Sequence, residues 1–290
     1  MKVGIIGLGN MGLPIAENIL NNGYELVVYN RTTSKANPLV QKGAILAKTP
    51  YEVAQKTNFV FTILSDDEAT RQTVFGETGI LAGLSEDGIH VSMGTISVSC
   101  AKEMTKEYSE QGKAFASATV LGRPDAAAAG KLSVILAGNS EACKKIKPIV
   151  STFGKQTFEV GEEAYLANIA KLGNNFLLVS MLESLAEVFT LIEKYDLDKK
   201  QFLQIFNSLF QSPVYQNYST LMIEEDFQPA GFDMRLGLKD TNLVSAAAEQ
   251  VSAELPIADL AKNHFQMSIE AGLDDWDWSA LIKTMRSLNE

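Results

Sequence analysis

The sequence is poor in the residues that most often carry metal, redox or acid–base chemistry. Its 290 residues include only two cysteines and two histidines. Cys100 and Cys143 match no metal-binding or redox spacing, so reduced thiols in a cytoplasmic protein are expected. His90 lies in a predicted strand and His264 in a predicted helix, where structural or surface roles are expected. We therefore predict neither a catalytic histidine nor a metal site.

Positive charge is also scarce, with 25 Lys and Arg against 35 Asp and Glu and a formal net charge of −10. This balance argues against nucleic acid or an anionic membrane as a partner. No signal peptide, Gly- or Ser-rich linker or internal repeat is visible. A length of 290 residues and a hydrophobic content of 46% predict a globular protein of two domains.

The chain opens with a glycine motif in the setting that dinucleotide binding requires. Lys2–Ile6 is typical of a buried parallel strand, and residues 13–22 are typical of a helix. Between them a G-x-G-x-x-G run forms a tight turn whose backbone N–H groups and helix dipole can hold a pyrophosphate. The predicted cofactor contacts in this run are Gly7, Leu8, Gly9, Asn10, Met11 and Gly12.

The residues after the second predicted strand, Glu25–Tyr29, indicate which dinucleotide is preferred. An NAD-binding unit would place an acid here for the ribose hydroxyl, but the chain continues with Asn30, Arg31 and Thr32. Arg31 can bind a 2′-phosphate, and its neighbours can add neutral hydrogen bonds. We predict NADP(H) in preference to NAD(H); the alternative is an exposed turn arginine.

Strands and helices alternate as far as about residue 160, which is the pattern of a doubly wound parallel sheet in an α/β domain. Ligands bind at the carboxyl ends of such strands, so we expect Leu64, Ser65 and Thr95 to line the cofactor crevice. Asp66 and Asp67 are more simply interpreted as helix caps.

A run of turn residues at 121–124 interrupts this alternation. Its functional interpretation is substrate contact through the Gly122 N–H group and Arg123, and its alternative is a connecting turn.

Residues 164–194 form a long predicted helix that is apolar on almost every side. Such a helix is expected to be buried and to join two parts of the molecule. Asn168, Lys171 and Asn175 share one face of it. They predict a proton donor with a neighbouring amide that orients a substrate oxygen. The alternative is a lysine that reaches the surface or pairs with a carboxylate. The polar residues also argue against a membrane span.

Only helices are predicted after the long helix. We therefore predict a dinucleotide-binding domain at residues 1–162 and an all-helical domain at residues 163–290. Lys239, next to Asp240, is predicted to lie near the anionic cofactor, with an exposed ion pair as the alternative.

Together these stretches resemble the β-hydroxyacid dehydrogenase family, which includes 3-hydroxyisobutyrate dehydrogenase and the glyoxylate/succinic semialdehyde reductases. The resemblance covers essentially the whole chain. It is carried by GLGNMGLPIAENIL, the Asn30–Thr32 turn, GTIS at 94–97, NIAKLGNN at 168–175, LKDTNL from Leu238 and DWDWSAL.

The resemblance implies an N-terminal Rossmann domain, a long interdomain helix and an all-α C-terminal domain, in a homodimer or homotetramer. It also implies that Lys171 is the catalytic lysine, that Asn175 orients the substrate, and that Phe232 and Lys239 form the distal contact region, with Lys239 touching the cofactor. The substrate loop falls at Leu121, Gly122 and Arg123.

The chain departs from the family pattern in three places, and these departures leave the expected cofactor unchanged but bear on the expected substrate. Leu121 replaces the serine that would hold a substrate carboxylate, and Arg123 replaces a glycine. Tyr165 and Ala167 replace two glycines before the lysine, and Gly94 replaces the first serine of S-T-I-S.

Three functional hypotheses follow. The first is an NADP(H)-dependent oxidoreductase that interconverts a small aldehyde or keto acid and its hydroxy acid. The second is a reductase of an imine or another non-carboxylate substrate on the same fold. The third is an NADP-binding protein without turnover.

Overall fold

The computed structural model describes residues 1–289. The chain divides into two compact units, one spanning Met1–Lys171 and the other beginning at Leu172. The boundary between the units falls inside the long helix.

Unit 1 is built on a single sheet of eight strands. The strands are β1 Lys2–Ile6, β2 Glu25–Tyr29, β3 Ile45–Leu46, β4 Phe59–Thr62, β5 Ile89–Ser92, β6 Ala114–Leu121, β7 Leu132–Gly138 and β8 Gly154–Gly161. Their order across the sheet is β3-β2-β1-β4-β5-β6-β7-β8. The chain therefore proceeds outward in both directions from β1, as in a doubly wound sheet.

One neighbouring pair of strands departs from the predicted parallel sheet. β6 and β7 are antiparallel, with Ala116 opposite Gly138 and Leu121 opposite Ser133. The residues that connect them, 122–131, contain only a five-residue helix. A parallel crossover needs a dozen or more residues, so this short connection reverses the chain direction.

The helices of unit 1 cover both faces of the sheet. They are α1 Gly12–Asn21, α2 Asn37–Gln41, α3 Pro50–Lys56, α4 Asp67–Val74, α5 Ile80–Gly83, α6 Val98–Glu110, α7 Pro124–Ala128 and α8 Ser140–Val150. Alternate strand residues enter separate cores: Ile5 packs in the cluster that contains α1 and α8 residues, and Ile6 in the cluster that contains α3 and α6 residues. Burial on both faces explains the continuous apolar runs of the strands.

The long helix α9 spans Tyr165–Glu193. Helices alone follow it in the described part of unit 2: α10 Lys199–Phe210, α11 Pro213–Glu224, α12 Met234–Glu249, α13 Pro256–Glu270 and α14 Leu281–Ser287, with a 3₁₀ turn at Trp278–Ala280. The core of unit 2 includes Leu182 and Phe189 of α9, with Phe265 and Trp278. The predicted α/β class, with a doubly wound N-terminal sheet and a helical C-terminal region, is confirmed.

The prediction that α9 is buried on every side was wrong. Leu177 is 69% exposed and Leu191 is 56% exposed, because neighbouring helices cover only part of the helix circumference. By length and composition alone, α9 could cross a membrane, with a mean hydropathy of 1.6 over 18 residues. More than half of that window is buried inside the protein, as in the core helix of a globular domain.

His90 lies in β5 and is fully buried. Its Nε2 atom is 2.9 Å from Thr62 Oγ1, and its ring lies 5.2 Å from the rings of Tyr108 and Phe115. Burial lowers the pKa of His90 to about 3. The imidazole is therefore a neutral packing group.

This burial predicts a specific acid sensitivity. Below about pH 6.5 the unfolded chain binds a proton at His90 that the folded protein does not, so stability falls as the pH drops towards about 3. Between about pH 7 and pH 5 the loss at this residue should be about 2 kcal/mol. The free energy of unfolding should be measured at pH 7 and pH 5 by urea unfolding followed by circular dichroism. The decrease between these pH values should be about 2 kcal/mol smaller in His90→Gln than in wild type, because the variant has no imidazole to protonate. Tyr108→Phe is the control and should show the wild-type decrease; an equal decrease in all three proteins would contradict the assignment.

Candidate functional site

The glycine turn after β1 is closed on one side and open on the other. A Cβ atom at Gly12 would lie 1.9 Å from the carbonyl oxygen of Gly7, so the start of α1 packs against the turn only with glycine there. A Cβ atom at Gly9 would meet nothing within 4 Å. Met11, at the N-cap of α1, makes no side-chain capping bond. The Leu13 N–H group donates to the Gly9 carbonyl and Pro14 has no N–H group, so the Gly12 N–H group is the one that the first turn offers to a ligand. This arrangement fits a pyrophosphate.

Asn30 ties the turn after β2 to the glycine turn. Its Oδ1 accepts a 2.8 Å hydrogen bond from the N–H group of Leu8, and its Nδ2 donates a 2.8 Å hydrogen bond to the Thr32 carbonyl. The Asn30 side chain therefore stabilises the turn itself. Arg31 and Thr32 are exposed at the end of β2, and no acid lies between Asn30 and Lys35.

The carboxyl ends of β1, β4 and β5 are neighbours in the sheet. This places the residues after them, Leu64 and Ser65 on one strand and Gly94 and Thr95 on the next, along the edge that carries the glycine turn. A Cβ atom at Gly94 would lie 2.8 Å from the carbonyl oxygen of Leu64. Close approach of the two loops thus explains why glycine stands where the family pattern has serine.

Two aspartates hold these loops in place. Asp66 caps α4, as predicted, by accepting a 2.8 Å hydrogen bond from the Ala69 N–H group. The Asp67 carboxylate accepts hydrogen bonds from Ser97, at 2.8 Å from the N–H group and 2.5 Å from the hydroxyl. Ser97 in turn caps α6. The Asp67–Ser97 pair fixes the loop at 93–97 and was missed because the two residues lie thirty positions apart.

The predicted substrate loop follows β6. Gly122 takes a φ of +138°, and Arg123 occupies the N-cap position of the short helix α7. Leu121 packs against a buried cluster of Ile135, Ala137 and Ala167. The residue that replaces the family serine therefore serves an apolar contact with the start of α9.

The first turns of α9 are held by both the sheet and α6. Thr119 Oγ1 donates a 3.0 Å hydrogen bond to the Ala167 carbonyl. Lys102 Nζ lies 4.6 Å from the centre of the Tyr165 ring. Tyr165 and Ala167, which replace two glycines of the family pattern, are therefore both packing residues. One turn further on, Asn168 is only 1% exposed, and Lys171 is half-buried.

In unit 2 the second residue of the predicted catalytic pair has a charged partner. Asn175 Nδ2 donates a 2.5 Å hydrogen bond to Asp240 Oδ2, and both residues are buried. Lys239 Nζ lies 2.8 Å from Asp240 Oδ1, so Lys239 forms an ion pair, but with a buried carboxylate and not with the exposed one that was considered. A buried carboxylate requires such donors, and it fixes the orientation of the Asn175 amide. Sequence reasoning missed the link between Asn175 and Asp240.

Phe232 is placed by the closing motif of the chain. Asp277 Oδ2 accepts hydrogen bonds from the N–H groups of Gly231 and Phe232, at 3.1 and 3.2 Å. The Phe232 ring lies 4.6 Å from the ring of Trp278. The DWDWSAL stretch therefore anchors the loop that carries Phe232. Across residues 1–289 no group of three His, Cys, Asp or Glu side chains could hold a metal ion.

Comparison with known proteins agrees with this geometry. The family model for the NAD binding domain of 6-phosphogluconate dehydrogenase matches residues 2–161. The model for NAD-binding of NADP-dependent 3-hydroxyisobutyrate dehydrogenase matches residues 166–285. Unit 1 is thus a nicotinamide-dinucleotide-binding domain.

Relatives match over nearly the whole chain. The uncharacterized oxidoreductase YfjR of Bacillus subtilis (strain 168) is 54% identical over 99% of this chain and all of its own length. Glyoxylate/succinic semialdehyde reductase 2 of Arabidopsis thaliana, a chloroplastic protein, is 31% identical over 99% of this chain and 80% of its own length. The structure of Psf3 in complex with NADP⁺ and 2-OPP is 25% identical, covers 98% of this chain and 99% of its own, and has a TM-score of 0.87.

The chain belongs to the β-hydroxyacid dehydrogenase family, and it is a dehydrogenase that acts on CH–OH groups.

Two glycines with opposite surroundings give a paired prediction. Gly94→Ser should lower the free energy of unfolding by about 1–3 kcal/mol, because the added Cβ overlaps the Leu64 backbone. Gly9→Ala should leave stability nearly unchanged but weaken binding of the nicotinamide dinucleotide, because the Cβ fills space that the pyrophosphate requires. Urea unfolding and isothermal titration calorimetry measure the two effects. If Gly9→Ala binds the dinucleotide as tightly as wild type, the pyrophosphate position is wrong.

Proposed function

We propose that the protein is an NADP(H)-dependent reductase of a small aldehyde or keto acid, which it interconverts with the hydroxy acid. The observation that carries the proposal is the arrangement on α9: Lys171 and Asn175 lie one helical turn apart, and the Asn175 amide is held by the buried Asp240 carboxylate. Lysine and a fixed amide in this spacing can together hold and protonate one oxygen atom.

The chain's own residues then divide the work. The nicotinamide cofactor, when bound, supplies the hydride. Lys171 donates a proton to the carbonyl oxygen of the substrate as negative charge develops on it, or accepts that proton in the opposite direction. One N–H of the Asn175 amide bonds to Asp240, and the other remains to hold the substrate oxygen. The residues that would hold the pyrophosphate are those of the glycine turn.

Preference for NADP(H) over NAD(H) is supported by the end of β2. Arg31 is exposed there, next to the glycine turn, with no carboxylate between Asn30 and Lys35 to repel a phosphate. Thr32 adds a neutral donor. The description of the second family model as NADP-dependent and the NADP⁺ bound to Psf3 agree with this preference.

The substrate carries an anionic group that Arg123 binds. Leu121 packs into an apolar cluster, so the hydrogen bonds that a serine would give must come from elsewhere in the loop. Arg123 and the Gly122 N–H group follow directly and supply a charged and a neutral donor. The reductase activity named for the Arabidopsis relative, on glyoxylate and succinic semialdehyde, concerns substrates of this class.

We also propose that the protein acts in the cytoplasm as a homodimer or homotetramer. Both cysteines are free and buried, and burial raises the pKa of Cys100 to about 12 and of Cys143 to about 11, which suits thiols that stay reduced.

The exposed apolar residues of α10 support the homo-oligomer. Leu209 is 78% exposed and Phe210 is 52% exposed, and a second copy of the chain can cover this apolar surface.

The role of Lys171 predicts a loss of turnover. Lys171→Ala should lower kcat by at least about 100-fold, because the proton donor is removed, while NADPH binding measured by calorimetry is retained. Lys200→Ala, which removes a surface lysine paired with Glu224, is the matched control and should keep wild-type turnover.

NADPH oxidation should be followed against aldehydes, keto acids and cyclic imines. Wild-type activity in Lys171→Ala would refute the mechanism. Turnover of imines alone would replace the substrate class, and binding without turnover of any compound would indicate a non-catalytic NADP-binding protein.

The role of Arg31 predicts a change in cofactor preference. Arg31→Ala should weaken NADPH binding by about 10- to 100-fold, since a charge-assisted hydrogen bond contributes about 1.5–3 kcal/mol. NADH binding should change by less than about twofold, because NADH lacks the 2′-phosphate. Parallel losses for both cofactors would show that Arg31 does not read that phosphate.

A further inference from the structure

Asn168 has a buried side-chain amide whose hydrogen bonding the proposed mechanism leaves unexplained. It is 1% exposed, and neither its Oδ1 nor its Nδ2 has a hydrogen-bond partner among residues 1–289. The large majority of buried side-chain polar atoms in proteins have a hydrogen-bond partner, so an amide with both ends unpaired requires an explanation. A ligand that carries an acceptor and a donor side by side would provide a partner for both Nδ2 and Oδ1 of Asn168.

The position of Asn168 on α9 indicates where that ligand lies. At 3.6 residues per turn, Ala164, Asn168, Lys171 and Asn175 fall within an arc of about 60° on the helix. Asn168 is therefore on the same stripe as Lys171, at a rise of about 4.5 Å. The Asn168 amide therefore lies about one helical turn from the amine that is proposed to protonate the substrate.

The neighbours of this helical turn come from β6, the loop after it and α6. Thr119 Oγ1 of β6 donates a hydrogen bond to the Ala167 carbonyl, and Leu121 packs in the cluster that contains Ala167. Ala164 belongs to the buried cluster that contains Cys100 and Met104 of α6. The turn that carries Asn168 therefore lies beside the end of β6, where the predicted substrate loop begins.

We infer that Asn168 binds the carboxamide of the nicotinamide ring, with its Nδ2 donating to the carboxamide oxygen and its Oδ1 accepting from the carboxamide nitrogen. This inference rests on the proposed function. A substrate carboxylate is a poorer match, since it offers acceptors only and would leave Oδ1 unpaired. Holding the carboxamide fixes the rotation of the ring, so Asn168 is a cofactor-contacting and positioning residue, distinct from the proton donor Lys171.

The test compares ligands that differ at the nicotinamide end. Isothermal titration calorimetry of the full-length apo protein should use NADPH, 2′-phospho-ADP-ribose, which lacks the ring, and the reduced 3-acetylpyridine analogue of NADPH, in which a methyl group replaces the amide nitrogen. Asn168→Leu should weaken NADPH binding at least about tenfold, equivalent to about 1.4 kcal/mol. Binding of 2′-phospho-ADP-ribose should stay within about twofold of wild type. Asn58→Leu, at an exposed position of the same unit, is the control.

The wild-type protein provides a second comparison that does not depend on folding of the variant. It should bind the acetylpyridine analogue about tenfold more weakly than NADPH, and Asn168→Leu should remove this difference. Equal wild-type affinity for the two reduced cofactors would overturn the assignment of Asn168 and leave the proposed function intact. The assignment would also be overturned if Asn168→Leu weakened NADPH and 2′-phospho-ADP-ribose equally and unfolded at a lower temperature than wild type, as expected of a purely structural amide. Failure of wild type to bind NADPH at all would overturn both proposals.

Discussion

The structure depends on the hydrogen-bond partners of the polar side chains that the long helix α9 buries. Polar groups that leave water cost free energy unless a partner replaces the lost hydrogen bonds. At Asn175 the partner is Asp240, itself neutralised by Lys239. Glu183, two turns further on, is paired with His264 at 2.9 Å, although burial still raises the pKa of Glu183. Asn175 and Glu183 are thus positioned by partners on α12 and α13, which keeps their orientation defined.

Close packing accounts for several residues in which this chain departs from its family pattern. Gly94, Leu121 and Ala167 each replace a residue that the family motif places there, and each is in close van der Waals contact with neighbouring parts of unit 1. The contact at Gly94 brings the loops after β4 and β5 together, and Leu121 joins the end of β6 to the start of α9. Two serines of the family pattern are replaced by Gly94 and Leu121, which pack closely, and Arg123, in place of a glycine, adds a charge to the predicted substrate loop. The proposed difference in substrate recognition therefore follows from packing as much as from charge.

Much of the fold could be predicted because its determinants are local in sequence. The glycine turn, the apolar strand Lys2–Ile6 and the cap Asp66 each depend on a few consecutive residues. The features that were missed depend on long-range contacts. Asp67 meets Ser97 across thirty positions, and Asn175 meets Asp240 across sixty-five. The exposure of Leu177 could not be predicted either, because composition does not show which faces of a helix find neighbours.

The central claim is that α9 presents an amine to the atoms that react. A crystal structure of the protein with NADP⁺ and a hydroxy acid tests it most directly. The account predicts Lys171 Nζ at about 2.6–3.2 Å from the substrate hydroxyl, with the nicotinamide carbon that accepts the hydride next to the same substrate carbon. A ternary complex in which Nζ points to bulk water, or lies apart from the ring, would contradict it.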